Sequence, residues 1–228
     1  MGTITAQTII NQAAVQLLDI SNVRWTRAEL LDWINAGQKQ IVILSPNATN
    51  KTWVYKLAVG TRQVIPSDGW TLLDVIRNMG TDGTKPGRTI RLVSEELLDN
   101  FDPNWHAALP STTVQNIVFN QQDQTVFYVY PPNNGKGYVQ INYSPVPPTI
   151  AAETETISVN DIFMPVLLDY VLYRACSKDA EYAPGLQLAA GYLQTFMASM
   201  QAKSASELAN SPNNKLGPLT VTTPGSQS

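Results

Sequence analysis

Residues 24–38 read Arg24-Trp25-Thr26-Arg27-Ala28-Glu29-Leu30-Leu31-Asp32-Trp33-Ile34-Asn35-Ala36-Gly37-Gln38. Thr26 followed three positions later by Glu29 is a capping box: hydroxyl and carboxylate each satisfy a backbone N–H that a first helical turn leaves unpaired. Leu30, Ile34, Gly37, Ile41 and Leu44 then recur at helical spacing and share one face, and Pro46 ends the run. Upstream, Ala6, Ile9, Ile10, Ala13, Ala14, Leu17 and Leu18 keep the same period until Asp19 to Arg24 break it. Two helices joined by a short loop predict an αα-hairpin.

From Thr52 the period falls to two. Trp53, Tyr55, Leu57 and Val59 alternate with Val54, Lys56 and Ala58, and Gly60-Thr61 predicts a tight hairpin turn into Arg62–Ile65. Leu73–Met79 and Thr89–Val93 flank a Gly-rich loop, Gly80–Gly87. Ser94 predicts the cap of a short helix through Leu98, and an irregular, Trp-bearing stretch follows to Pro110. Val114–Phe119, Val126–Tyr130 and Tyr138–Tyr143 then read as an antiparallel meander. Helix returns near Asn160, with Pro165 tolerable in a first turn. Phe163, Val166, Leu167, Tyr170, Val171 and Arg174 share a side. After Ala183-Pro184-Gly185 the last helix carries Leu186, Ala189, Ala190, Leu193, Phe196, Met197 and Met200. Residues 210–228 hold one charge, Lys215, among Pro, Ser, Thr, Asn and Gly, a composition that buries too little surface to order itself.

The fold class expected is α+β: a helical bundle of residues 1–50 and 160–209, a β-rich antiparallel insertion over 51–159, and an extended C-terminal arm, 210–228. Each helix pair carries an apolar stripe too long to leave in water, so the two ends pack together.

Composition narrows the chemistry. With 15 Lys plus Arg against 18 Asp plus Glu, the net charge is −3, which argues against tight nucleic-acid binding through a broad basic face. One cysteine, Cys176, excludes an internal disulfide framework, and one histidine, His106, excludes a His–His metal motif. No apolar run approaches a membrane span, and the N-terminus has no signal-peptide pattern.

The candidate sites each have a plain structural reading. Gly80–Gly87 lacks the order of a phosphate-binding loop and reads as a surface loop made locally basic by Lys85 and Arg88. His106 with Asp102 and Ser111 would need a strained nucleophile turn that the sequence lacks, so a structural or surface histidine is favoured. Cys176 reads as a buried thiol. Glu95 and Glu96 fall in a helix's first turn, where negative charge is favourable. Glu153/Glu155 and Asp179/Glu181 show no metal spacing. Trp25, Trp33 and Trp70 read as core; Trp53, Tyr55, Tyr128, Tyr130, Tyr138 and Tyr143 read as cross-strand partners. No catalytic residue, metal or cofactor is assigned.

Residues 24–38 resemble the first helical hairpin of phage head-to-tail adaptor proteins, which carry W-[ST]-x-x-E-L-x-x-[WY]-[IL]-N-x-[AG]-Q. Leu168–Ala175 continuing through Lys178–Glu181 is similar to the second hairpin of the same connector, tail-tubular-protein-A-like group of short-tailed phages. The resemblance implies a structural virion protein at the head–tail interface, assembled in the host cytoplasm. Such proteins form a homo-oligomeric ring, usually of twelve copies, between the portal and the tail nozzle. The ring extends the DNA channel, lets genomic DNA pass without specific binding, and docks tail nozzle or fibre proteins. Trp25, Glu29, Trp33 and Gln38 would be fold-forming. Pro212, Lys215, Leu216, Leu219 and Val221 are expected to contact the portal. Thr84, Lys85, Arg88, Asn133 and Lys136 are expected in inter-subunit loops. Two rivals stand beside this reading: a carbohydrate- or receptor-binding tail module using the β-borne aromatics, and a cofactor-free hydrolase using a carboxylate pair.

Overall fold

A computed structural model describes residues 2–120, 122–178 and 183–210, with backbone alone for Ala183 and 207–210. The fold is α+β. Helices α1 (Ala6–Gln16) and α2 (Arg27–Leu44) form the N-terminal pair, and α4 (Met164–Lys178) and α5 (Ala183–Asn210) the C-terminal pair; a short α3 (Glu95–Phe101) lies between them in the chain. The strands are β1 (Lys51–Lys56), β2 (Val59–Val64), β3 (Gly69–Asn78), β4 (Arg91–Leu92), β5 (Asn116–Phe119), β6 (Val126–Asn134) and β7 (Tyr138–Pro145).

The capping box forms as its spacing requires: the Thr26 hydroxyl accepts from the Glu29 N–H and the Glu29 carboxylate accepts from the Thr26 N–H. One apolar core joins Ile9, Ile10, Leu30, Ile34, Ile41, Leu167, Val171 and Phe196, drawn from all four long helices. Gly37 permits the closest approach: a Cβ there would lie 2.5 Å from Leu167 Cδ1 and 2.9 Å from Tyr170 Cδ1. The expected face of α4 is buried at Phe163, Leu167, Tyr170 and Val171, and the buried surface is wider than expected. Leu168, Leu172 and Ala175 are buried, whereas Arg174 is exposed, because α4 packs against both α2 and α5.

Two buried polar side chains on α2 hold the segment that returns from the sheets. Asn35 donates to the Ile150 carbonyl and accepts its N–H at 3.0 and 2.9 Å, and the Gln38 carbonyl oxygen accepts the Ser158 N–H at 2.7 Å. Ile150, Ile157 and Val159 accordingly pack in the helical core, although they lie within the stretch assigned to the β insertion. A backbone crossing a helix in a buried place needs partners for its N–H and C=O groups, and Asn35 and Gln38 supply them.

The strands differ from the expected meander. They form two sheets, β1–β7–β3 and β2–β6–β5–β4, whose inner faces share one core of Phe127, Val129 and Ile117 against Val75, Val139 and Ile141. All pairings are antiparallel except β4 with β5, which is parallel. The expected β1–β2 hairpin does not exist: β1 pairs with β7 and β2 with β6. Buried Leu57 turns the corner between the sheets, and Gly60, at φ +96°, sits where the β2–β6 register shifts, a bulge that demands left-handed backbone. The chain recrosses from β6 to β7 beside it, where the Leu57 N–H donates to the Gly137 carbonyl. Both apolar strand runs are thereby folded inward around one core instead of lying flat. Sheet and helices meet where Trp70 of β3 packs against the helical core and the Thr49 hydroxyl, just beyond α2, donates to the Pro145 carbonyl.

Candidate docking surfaces

The residues with catalytic potential are engaged in holding the fold. His106 stacks on buried Trp105 at 3.7 Å between ring centroids, and its Nδ1 shares a hydrogen bond with Thr61 Oγ1 at 2.8 Å. Ser111 Oγ accepts the Thr113 N–H, and the Asp102 carboxylate accepts the Asn104 N–H. These bonds tie each residue to its own turn or to β2, and none links the three into a relay. Glu95 and Glu96 lie in the first turn of α3, capped by Ser94. Glu153 is gripped by Arg27, and the Glu155 carboxylate accepts the Ala151 and Ala152 N–H groups. Asp179 and Glu181 lie outside the described residues. Cys176 is buried. Among the described residues no group of His, Cys, Asp and Glu is placed to hold a metal ion, and no helix is long and apolar enough to cross a membrane. The six β-borne aromatics do not share a face: Tyr143 is buried in the sandwich, Tyr128 and Tyr130 pack on the small cluster around Trp105, and Trp53 is half exposed with the Lys51 ammonium over its ring.

Among the described residues, three surface features bear on assembly, and each presents groups that a free monomer gains nothing by exposing. The first is β1. It is the outer strand of its sheet, five of its six residues are exposed, and among the described residues no strand pairs with its far side. The loop 80–87 lies against its end, since a Cβ on Gly83 would touch Val54 and Tyr138 at 3.1 Å. The Tyr138 N–H donates to the Gly80 carbonyl, and Lys56 is registered with Tyr138. Exposed Thr84, Lys85, Arg88 and Lys136 thus gather with Lys56 at one end of the first sheet and make it basic. Asn133 does not belong with them. It is fully buried, its amide donating to the Ser111 and Thr112 carbonyls and its oxygen accepting from the Gly135 and Gly137 N–H groups. Its side chain is spent on shaping the β6–β7 crossover and has no surface left for a neighbour. Pro212, Lys215, Leu216, Leu219 and Val221 lie outside the described residues.

The second feature is the α1–α2 turn. Leu18, Ile20 and Val23 are 91, 78 and 81% exposed. Leu18 adopts φ +56°, which costs a residue bearing a Cβ roughly 1–2 kcal/mol. The turn is nonetheless fixed: the Asp19 carboxylate accepts the Val23, Arg24 and Trp25 N–H groups at 2.9–3.0 Å. Those bonds, the Trp25 one foremost, hold the Asp19 carboxyl below the usual carboxylate range. Trp25 Nε1 then donates to the Ala175 carbonyl, and Lys178 bonds the Arg24 carbonyl and Glu29, so the turn is seated on the C-terminal end of α4.

The third feature is a groove of about 1350 Å³ at the opposite end of the helices, where α4, α5 and the turn after α2 meet β1 and β7. Phe163, Met200 and Ile157 are its buried lining, and Val146 and Ile162 are 46 and 70% exposed at its lip. Lys203 reaches across it, its ammonium 4.5 Å from the Phe163 ring centre. No local pattern announces this groove, because its walls come from five segments far apart in the chain.

Such surfaces suit assembly with other proteins, and comparison with known families agrees. The family model described as SU10 adaptor protein matches residues 4–216, so the chain belongs to that family, which makes it a phage adaptor and a structural component of the virion. No curated protein matches the sequence.

Proposed function

We propose that this member of the SU10 adaptor protein family assembles as a ring, of twelve copies, between the portal and the tail nozzle, continuing the DNA channel and docking nozzle or fibre proteins. The observation that carries this reading is the bare β1 edge with the basic loops beside it. A strand with one unpaired side is a template that a soluble protein must cover, and lateral contact between copies covers it in every subunit at once. Thr84, Lys85, Arg88 and Lys136 are the loop residues assigned to that contact. The net charge of −3 on each copy keeps the channel from holding the duplex by its phosphates. Residues 210–228 act as an arm on the portal, with Pro212, Lys215, Leu216, Leu219 and Val221 as its contacts, in the manner of extended segments that combine main-chain bonds with a few apolar anchors. The ring has no enzymatic turnover.

Rotational symmetry and mass of the head–tail vertex test the proposal. Twelve copies arranged around the channel are expected, and one or two copies per particle would overturn it. A chain lacking residues 210–228 should fold normally and be incorporated poorly, and unchanged incorporation would remove the arm from the proposal.

A further inference from the structure

We infer that the α1–α2 turn of one copy inserts into the groove of the next, so that the ring is built by a head-to-tail contact between these two surfaces; this rests on the ring reading above. The turn sits on the C-terminal end of α4 through Ala175 and Lys178, whereas the groove is lined at the other end of that helix by Phe163 and Val166. Fifteen residues of α4 separate them by about 22 Å. A protrusion at one end and a recess at the other cannot satisfy each other within one chain. They can do so between copies related by a rotation, and a heterologous contact of this kind closes into a ring.

The chemistry matches on both sides. The turn offers Leu18, Ile20 and Val23, all more than three-quarters exposed, on a backbone fixed by Asp19. The groove offers exposed Val146 and Ile162 above a buried apolar lining. The turn's one acid, Asp19, lies beside Arg24, and in the groove Lys51 pairs with Asp68 while Lys203 lies over the Phe163 ring, so the contact is carried by apolar groups. The groove wall at Asn50 and Lys51 also runs directly into β1, so a neighbour seated there continues onto the edge already assigned to lateral contact. The unfavourable backbone of Leu18, with its side chain almost wholly in solvent, acquires a reason: it aims an anchor that is buried only after assembly.

Cysteines at Ile20 and Ile162 test the contact in assembled particles. Within one chain these positions lie too far apart to bridge, because a disulfide needs Cα atoms less than about 7 Å apart. Oxidation of particles carrying Ile20→Cys and Ile162→Cys together should give a ladder of linked copies on a non-reducing gel, and neither single variant should. A second variant, Leu18→Asn, suits the left-handed backbone while removing the anchor. It should leave or raise the melting temperature of the protein and lower ring occupancy on the order of tenfold. A visible ring without the ladder, or a Leu18→Asn ring at parental occupancy, would overturn this contact and leave the ring itself standing. Particles with no ring of copies would overturn the ring reading and this contact with it.

Discussion

The Arg27 guanidinium grips the Glu153 carboxylate from the first turn of α2, its Nε within 2.9 Å of both carboxylate oxygens and its Nη2 on one of them. The pair clamps the chain returning from the sheets onto the N-terminal hairpin, beside the bonds from the Ala6 and Gln7 N–H groups to the Glu155 and Glu153 carbonyls. Arg27 is also the one basic residue in a helix turn where positive charge is unfavourable, and Glu153 offsets it. Arg27→Lys keeps the charge but loses the planar fork. It should lower the unfolding free energy by about 1 kcal/mol, a modest figure because both side chains are about one-third exposed. Urea denaturation measures it, and an unchanged midpoint would mean that the clamp adds nothing to the hairpin's own packing.

Gly37 invites a substitution whose sign separates propensity from packing. Alanine gains roughly 1 kcal/mol of helix propensity over glycine. Its Cβ would meet buried Leu167 and Tyr170 at 2.5 and 2.9 Å, and overpacking typically costs about 1–3 kcal/mol. Gly37→Ala should therefore be net destabilising in thermal unfolding. A rise in melting temperature would show that α4 yields at that point.

Asn78 closes the sandwich. Its amide donates to the Val114 and Arg88 carbonyls and its oxygen accepts the Val114 N–H, all at 2.8–2.9 Å. Asn78→Ala strands the buried backbone groups of Val114 and should cost about 3 kcal/mol. Loss of hydrogen-exchange protection at Val114 is the specific readout.

Stability should fall in acid. Lys178 holds the Glu29 carboxyl below its usual range, Arg27 does so for Glu153, the Thr3 side chain for Asp161, and the Trp25 N–H for Asp19. A lowered folded pKa contributes stability that is complete above the unfolded value, about 4, and is lost as pH drops through the folded one. Melting temperature should decline progressively below about pH 4.5.

Asp169 runs the other way, because burial raises its carboxyl. Its ionised form is disfavoured in the fold, so the stability it contributes when protonated is lost as pH rises through the raised value. Asp169→Asn should raise the melting temperature at pH 7 and leave it unchanged in strong acid. An equal gain at both would assign the effect to packing instead of charge.

The helices were legible because their determinants are local. Thr26 and Glu29 form a cap within one turn, and a 3.6-residue period shows which side of α2 is buried whatever it packs against. The apolar strands and the cap at Ser94 were legible for the same reason. Pairing was not. Gly60 suits a hairpin turn or a bulge equally in sequence, and only the placement of Leu57 in the core between two sheets makes it a bulge. Asn35, Gln38 and Asn133 likewise read as ordinary polar residues until the backbone each one satisfies is brought beside it, 115, 120 and about 22 positions away. Sequence by itself determined the α+β class, the capped hairpin and the family resemblance, since periodicity and caps act over one or two turns. The tertiary structure alone decided which strands share a sheet, that Asn133 faces inward, and that the Leu18 turn and the groove beside Phe163 stand at opposite ends of α4. Those outcomes depend on contacts between distant segments, whose energies no local pattern encodes.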